Sequence, residues 1–278
     1  HKAINKLLSE VEKHADTAGF HFHGAKKGNK DAPETEYDGA HIATIFDSKD
    51  TSTAHRLVGG TVFHFCREDQ RQAYDYLFVD EAGQVSLGNF VAMAGAAANI
   101  VLVGDQMQLP QPVQGVHPGE TGLSSLEYLL EDKATVPDDR GILLNETRRL
   151  HPALCSFISD AIYDGRLTAH PSTATRPLDV RPGSVATIRE AGLSFVPVAH
   201  EGCTQSSRQE AETIAELIGA LWAQALVRGE VGAPIKPSDI LLVAPYNVQV
   251  NLLKEVLPQG VQIGTVDKFQ GQEAPVVI

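Results

Sequence analysis

The sequence predicts an α/β architecture of mostly parallel sheets flanked by helices. Short apolar runs without polar alternation end abruptly in glycine or polar residues, as strands buried on both faces of a parallel sheet do. Stretches of helical periodicity with recognisable caps lie between these runs, and alternation of strands with helices defines the class. Residues 136–141 (VPDDRG) read as a linker, dividing the chain into halves 1–140 and 141–278 that each hold both element types.

Taken in order, residues 3–14 set Ile4, Leu7, Leu8 and Val11 on one helical face. Residues 24–50 are polar and irregular. Strands are expected at 61–63 after Gly59-Gly60, at 77–79 before Asp80, and at 100–103 before Gly104-Asp105. Helices are expected after Ser86 and over 123–131. A strand at 142–144 opens the second half, and Pro152 suits the first turn of a helix reaching Tyr163 and stopped near Gly165. Residues 168–192 form a long loop with one edge strand. The longest helix starts at Ser207, with Glu210 three residues on as a capping-box pattern, and ends before Gly229. A strand at 240–243, a helix over 247–257 stopped by Pro258, and a strand at 261–263 complete the chain.

Of the 278 residues, 42% are hydrophobic and 21% charged, an ordinary globular balance with ample material for a core. A formal net charge of -12 disfavours nonspecific polyanion binding, though not a grip on a strand through a few local contacts. The three cysteines, Cys66, Cys155 and Cys203, are far apart and odd in number, which suits a reducing, cytoplasmic compartment and neither a zinc site nor a disulfide frame. The longest apolar stretch, residues 90–103, falls short of the roughly 18 residues of a membrane span. The first residues, HKAINKLLSEVEKHA, are amphipathic rather than a signal peptide, and they start mid-pattern, as a cut piece of a longer chain would.

Four clusters carry chemistry. Asp80 and Glu81 end an apolar run, at the strand end where open α/β sheets bind ligands. Two adjacent carboxylates are costly to bury without a cation; a magnesium ion supplies that charge, and the second carboxylate can polarise water. VGDQMQLPQ brings Asp105, Gln106 and Gln108 to the next strand end, where amides can sense a terminal phosphate. LLNETRRLHP sets Arg148 and Arg149 before a helix, to reach a phosphate or, alternatively, to pair with Glu146. TVDKFQGQE is dense in groups that bind sugar, phosphate or water. His21 and His23 alternate on an extended segment, but no further ligands follow at metal spacing. The phosphate-cradling G-x-x-x-x-G-K-[ST] that usually accompanies such carboxylates is missing; Gly24 and Gly28 with Lys30 have the wrong spacing.

VDEAGQ, GDQMQLP, ETRRLHP, PYNVQ and GTVDKFQGQE, in this order, resemble the core of a superfamily 1 helicase. The branch is the one that includes the nonsense-mediated-decay helicase and DNA helicase–nucleases, some bacterial members being fused to a RecB-like nuclease. The resemblance implies two RecA-like domains with ATP and Mg2+ between them and single-stranded nucleic acid, DNA before RNA, across their top. It places the phosphate loop before His1 and a last arginine motif after Ile278, so this chain alone is expected not to turn over ATP. On matching positions, Asp80 would hold magnesium through water, with Asp105 beside it, and Glu81 would be the general base. Gln108 would contact the γ-phosphate and Arg149 would reach it from the second domain. Gly271 and Glu273 would line the nucleotide. Thr61, Tyr246 and Thr265 would face the strand, and Lys26 and Lys27 would add phosphate contacts. Pro275 and Arg148 depart from the aspartate and tyrosine common among relatives. The competing functions are a nucleic-acid-binding remnant without turnover and an NTPase switch acting on protein partners.

Overall fold

The computed structural model describes residues 1–109, 115–175, 177–228, 231–269 and 272–278. The chain forms two compact units, His1–Ala134 and Thr135–Ile278. The sheets are mostly parallel and mixed with helices, as expected.

The first unit opens with helix α1 (Lys2–Thr17), then strands β1 (Gly24–Lys27), β2 (Ile42–Ile45) and β3 (Leu57–Gly59). These strands form a parallel sheet in the order β2-β1-β3. Leu8, Ala15, Phe22 and Ile42 make its core, with Ile4 and Val11 of α1 packed against it; Leu7, expected on the same face, is exposed instead. Gly24 is required in β1: a Cβ there would stand 2.8 Å from Ile42 Cγ1. Helix and sheet are further joined by the buried Glu12 carboxylate, which accepts from Tyr37 Oη at 2.7 Å, His41 N at 2.7 Å and Ile42 N at 3.0 Å. Burial raises its pKa, but these donors outweigh that and hold the carboxyl below its ordinary value.

Two expectations fail here. Residues 24–50 contain two strands; each has only four residues, too short to show periodicity among polar neighbours. Residues 61–63 are no strand. Strand β3 ends at Gly59, and Val62–Phe65 turn once as helix α2, leaving Phe63 82% exposed.

Next come β4 (Tyr74–Val79), α3 (Leu87–Ala94), β5 (Ala97–Leu102) and α4 (Ser125–Leu130). Strands β4 and β5 pair in parallel, with Val79 opposite Leu102. Ser86 caps α3 by accepting from Asn89 N. Ser124 and Glu127 close a full capping box on α4.

The second unit holds β6 (Glu146–Thr147), α5 (Pro152–Ile162), β7 (Thr168–Ala169), β8 (Leu178–Asp179) and α6 (Arg208–Trp222). It continues through β9 (Ala225–Arg228), β10 (Val231–Pro234), β11 (Ile240–Val243), α7 (Asn247–Val256), β12 (Gln262–Gly264), α8 (Val266–Phe269) and β13 (Val276–Val277). Strand β11 is central in a parallel β12-β11-β13 sheet. Helices α6 and α7 contribute Ile218, Leu221, Val250 and Leu253 to the same core as Ile240 and Leu242, each burial stabilising by about 1.5–3 kcal/mol.

Residues 142–144 are not a strand, and Ile142 and Leu144 are exposed; the pairing falls on Glu146–Thr147 instead. Helix α6 stops at Trp222, earlier than its periodicity suggests, because Ala225–Arg228 are taken up between β8 and β10. Only half of its expected capping box forms. Ser207 Oγ accepts from Glu210 N at 3.1 Å, while Ser207 N donates to Gln249 Oε1 at 2.8 Å.

Candidate nucleotide and nucleic-acid site

In the first unit, β4 and β5 deliver their motifs side by side. Val103 N donates to Val79 O and Ala82 N to Val103 O, both at 2.9 Å, so the two strand ends stay paired past their last ladder residues. A Cβ on Gly83 would lie 2.3 Å from the Asp105 carbonyl oxygen, and one on Gly104 would lie 2.7 Å from Ala82 N. Only glycines allow this approach, and it sets the Asp105 backbone against the turn after Asp80 and Glu81. Ser125, fully buried, donates its hydroxyl to Ala82 O at 2.9 Å and its N–H to Val85 O at 2.8 Å, holding the turn from beneath. Ser125, Gly83 and Gly104 were not singled out by sequence reasoning. The two glycines beside the acidic residues were the available signal.

Glu81 adopts φ 53° and ψ 41°, a left-handed conformation that costs a non-glycine residue roughly 1–2 kcal/mol. Such strain is maintained where the surroundings over-determine it. Glu81 N donates to Asp80 Oδ1 at 3.0 Å. Both side chains are exposed, so the expected cost of burying two carboxylates does not arise. The Asp105 carboxylate accepts from Met107 N at 2.9 Å and from the Gln108 amide at 3.3 Å. Gln106 is not available as a phosphate sensor: its Nε2 donates to Lys133 O at 2.9 Å and to Ala134 O at 2.6 Å.

The β2-β1-β3 sheet brings Lys27 and Thr61 to the C-terminal ends of its strands, Lys26 lying opposite Gly59. Thr61 precedes α2 at its N-cap position without a side-chain cap. An open cleft of about 500 Å³ at this edge is lined by Lys27, Asn29, Lys30, Thr44, Phe46 and Asp47, among others. Lys27 is half-buried and donates to Gly28 O. Lys26, expected as a phosphate contact, is 0% exposed, with its Nζ 2.9 Å from His1 Nδ1. Burial, reinforced by Lys27, depresses its pKa; such an ammonium does not meet a strand in solvent.

In the second unit, β11 and β12 bring Tyr246 and Thr265 to one sheet edge: Val243 lies opposite Gly264, and Ala244 N donates to Gly264 O at 3.0 Å. Tyr246 is 47% exposed at the N-cap position of α7. Gln249, also missed from the sequence, is buried and doubly bonded to the Ser207 backbone, at 2.8 Å to N and 3.2 Å to O. It therefore fixes the start of α7 against the start of α6. Arg148, not Arg149, reaches Glu146, at 3.5 Å. Arg149 Nε lies 3.2 Å from Glu273 Oε2, with side-chain exposures of 61% and 70%. Gly271 lies outside the described residues.

The donor set suits Mg2+, which keeps most of its waters and takes one or two carboxylates. Asp80 supplies one, and no group of three or more metal-ligating side chains occurs among the described residues. No helix among them is long and apolar enough to cross a membrane.

The family model of the AAA domain (AAA_12) matches residues 122–278, more than half of the chain. The DNA-binding protein SMUBP-2 of Rattus norvegicus is 33% identical over 74% of this chain and 21% of its own length. The DNA polymerase alpha-associated DNA helicase A of Schizosaccharomyces pombe is 26% identical over 82% of this chain and 36% of its own. The DNA replication ATP-dependent helicase/nuclease DNA2 of Xenopus laevis is 26% identical over 75% and 22%. The chain thus spans between 21% and 36% of the length of these relatives. It belongs to the AAA domain family, within the superfamily 1 DNA helicase/nuclease type.

Proposed function

We propose that the chain is the core of an ATP-dependent DNA motor, two RecA-like domains that couple ATP hydrolysis to movement along a single strand. One observation carries the reading. Asp80-Glu81 and Gly104-Asp105 end hydrogen-bonded parallel strands and are interlocked by Gly83 against the Asp105 carbonyl. This is the place in an open α/β sheet where a nucleotide is held. The names of the relatives support DNA as the nucleic acid.

When bound, Mg2+ neutralises phosphate charge and orients the reacting oxygens. Asp80 would hold that ion through its water shell. Glu81, exposed beside it in its strained conformation, accepts the proton of the attacking water on its carboxylate. Gln108 senses the terminal phosphate by exchanging its 3.3 Å bond to Asp105 for the phosphate oxygen. Arg149 would exchange Glu273 for a terminal phosphate oxygen. An exposed pair of this kind is worth only about 0–1 kcal/mol and yields readily to a phosphate. Thr61 and Lys27 in one unit, and Tyr246 and Thr265 in the other, follow the strand. A nuclease elsewhere in the full-length protein would be a functional partner.

The test is Glu81→Gln in the full-length protein, which keeps shape and removes the base. ATP binding should persist while turnover falls by ~10²–10⁴-fold. Unchanged turnover would assign the water to another group and remove the main support of this mechanism.

A further inference from the structure

We propose that the cleft at the C-terminal edge of the β2-β1-β3 sheet is a base pocket: one base of the single strand stacks on Phe46, and Asp31, Asp47 and Asp50 select bases that carry an exocyclic amine. The inference rests on the motor reading above and deepens it, since a path that would tolerate any sequence becomes one that disfavours thymine.

Phe46 follows the last residue of β2 and is 36% exposed. Its ring lies along the end of β1, where a Cβ on Gly28 would stand 3.5 Å from Phe46 Cε1 and 2.8 Å from Thr44 Cγ2. Glycine at this position therefore lets the ring lie close against the neighbouring strand. Both walls of the cleft are held from within. After β1, the buried Thr35 hydroxyl accepts from Asn29 N at 2.8 Å and donates to Ala32 O at 2.7 Å. After β2, the wall rests on buried Ser48, whose carbonyl accepts from Thr51 Oγ1 at 2.7 Å and whose hydroxyl lies 3.0 Å from His64 Nδ1. A pocket fixed before its ligand arrives loses little affinity to ordering itself.

The charges decide what enters. The lining sets three carboxylates, Asp31, Asp47 and Asp50, against two ammonium groups, Lys27 and Lys30. A site for phosphate alone would not be built this way, because the local balance repels it. A neutral base is not repelled. Carboxylates only accept hydrogen bonds, and the amines of adenine, cytosine and guanine donate them. Thymine has no amine, and its one edge N–H is flanked by two carbonyl oxygens that repel a carboxylate. On the floor of the cleft, Lys30 Nζ stands 5.8 Å from the centroid of the Phe46 ring. An exposed contact of that kind shifts an equilibrium about two- to fivefold. A stacked base shifts it about five- to a hundredfold, so the base displaces the ammonium. Lys30, freed at the rim, pairs with the phosphate of the nucleotide whose base has entered.

The experiment measures binding of the full-length protein to oligo(dC) and oligo(dT) of equal length by fluorescence anisotropy, at one salt concentration. The two pyrimidines have similar rings and differ chiefly at the edge that carries the amine. Wild type should bind oligo(dC) about five- to tenfold more tightly. Phe46→Leu, which keeps an apolar side chain against Gly28, should weaken oligo(dC) binding by about tenfold and reduce the preference. Asp31→Asn, Asp47→Asn and Asp50→Asn together keep the shape of the cleft, and position 47 keeps an oxygen for Lys49 N, now at 3.0 Å. This triple variant should bring oligo(dT) to within about twofold of oligo(dC). Carboxylates that merely repel phosphate would instead let both strands tighten equally and leave the ratio as it was. That result overturns the proposal, as does a wild type that binds both strands alike. KM for ATP should be unchanged in every variant. A raised KM with an intact ratio would give the cleft to the base of a free nucleotide and overturn the proposal too. A wild type whose turnover no strand stimulates would sink the motor reading itself, whereas strand-stimulated turnover with equal binding of the two strands sinks the base pocket alone.

Discussion

Lowering the pH from 7.5 to 5.5 should weaken the first unit through one residue, His64. Its ring is 2% exposed, with Nδ1 3.0 Å from Ser48 Oγ and Nε2 3.5 Å from Tyr74 Oη. Tyr74 Oη donates onward to Gln70 Oε1 at 2.5 Å, and Gln70 Nε2 donates to Thr51 Oγ1 at 3.1 Å. Burial disfavours the imidazolium, Lys27 and Arg67 repel it and Asp69 offsets only part, so the pKa is pushed down to about 4 from 6.5. A histidine whose folded pKa lies below its unfolded value binds fewer protons when folded. The stability it contributes is therefore complete above the unfolded pKa and is lost as pH falls from 6.5 toward 4. At ~1.36 kcal/mol per unit, the whole shift is worth about 3 kcal/mol, and about 1.4 kcal/mol of it is gone at pH ~5.5. The measurement is urea denaturation of wild type and His64→Gln at both pH values, read by hydrogen exchange over residues 62–79. The variant loses packing at pH 7.5, but its deficit should shrink by about 1.4 kcal/mol at pH ~5.5, because glutamine has no proton to gain. Parallel loss of stability in both proteins would refute a neutral, desolvated His64.

Glu12 titrates in a different window. Its depressed carboxyl contributes stability that is present above 4.5 and lost as pH falls through the folded value, and Glu12→Gln should cost about 1–3 kcal/mol at neutral pH. An unchanged urea midpoint would mean that the Tyr37, His41 and Ile42 bonds carry no net stability. In the full-length protein, Arg149→Lys should fold and bind single strands normally but lose ~10³-fold or more in ATP turnover, since lysine lacks the planar fork. Wild-type turnover there would leave Arg149 as no more than the partner of Glu273. Tyr246→Ala should weaken single-strand binding by about 1–3 kcal/mol without sequence preference, measured by fluorescence anisotropy, and equal affinity would remove Tyr246 from the interface.

The sequence by itself determined the class of the fold and the order of its chemical motifs. Runs such as Ile240–Val243 are apolar throughout because they are buried on both faces, and a buried strand followed by a functional loop announces itself locally. The cap at Ser86 and the first-turn proline Pro152 are equally local and were legible for that reason. Short runs with mixed signals were not. Val62-Phe63 has strand composition, yet the chain turns into a helix after Gly59-Gly60, and Ile142–Leu144 finds no partner strand. Strand pairing is a long-range event, so composition alone does not decide it. The same reason separates the site residues into two groups. Their presence at strand ends was readable; their partners were not. Lys26 is turned inward by its place in the central strand of a sheet, Arg149 meets a glutamate from the far end of its unit, and the Gln106 amide faces the backbone at 133–134 rather than a phosphate. Side-chain direction and pairing across more than a few residues are set only when the sheets assemble, because only then do burial and hydrogen-bond geometry select one partner among the many that the sequence allows.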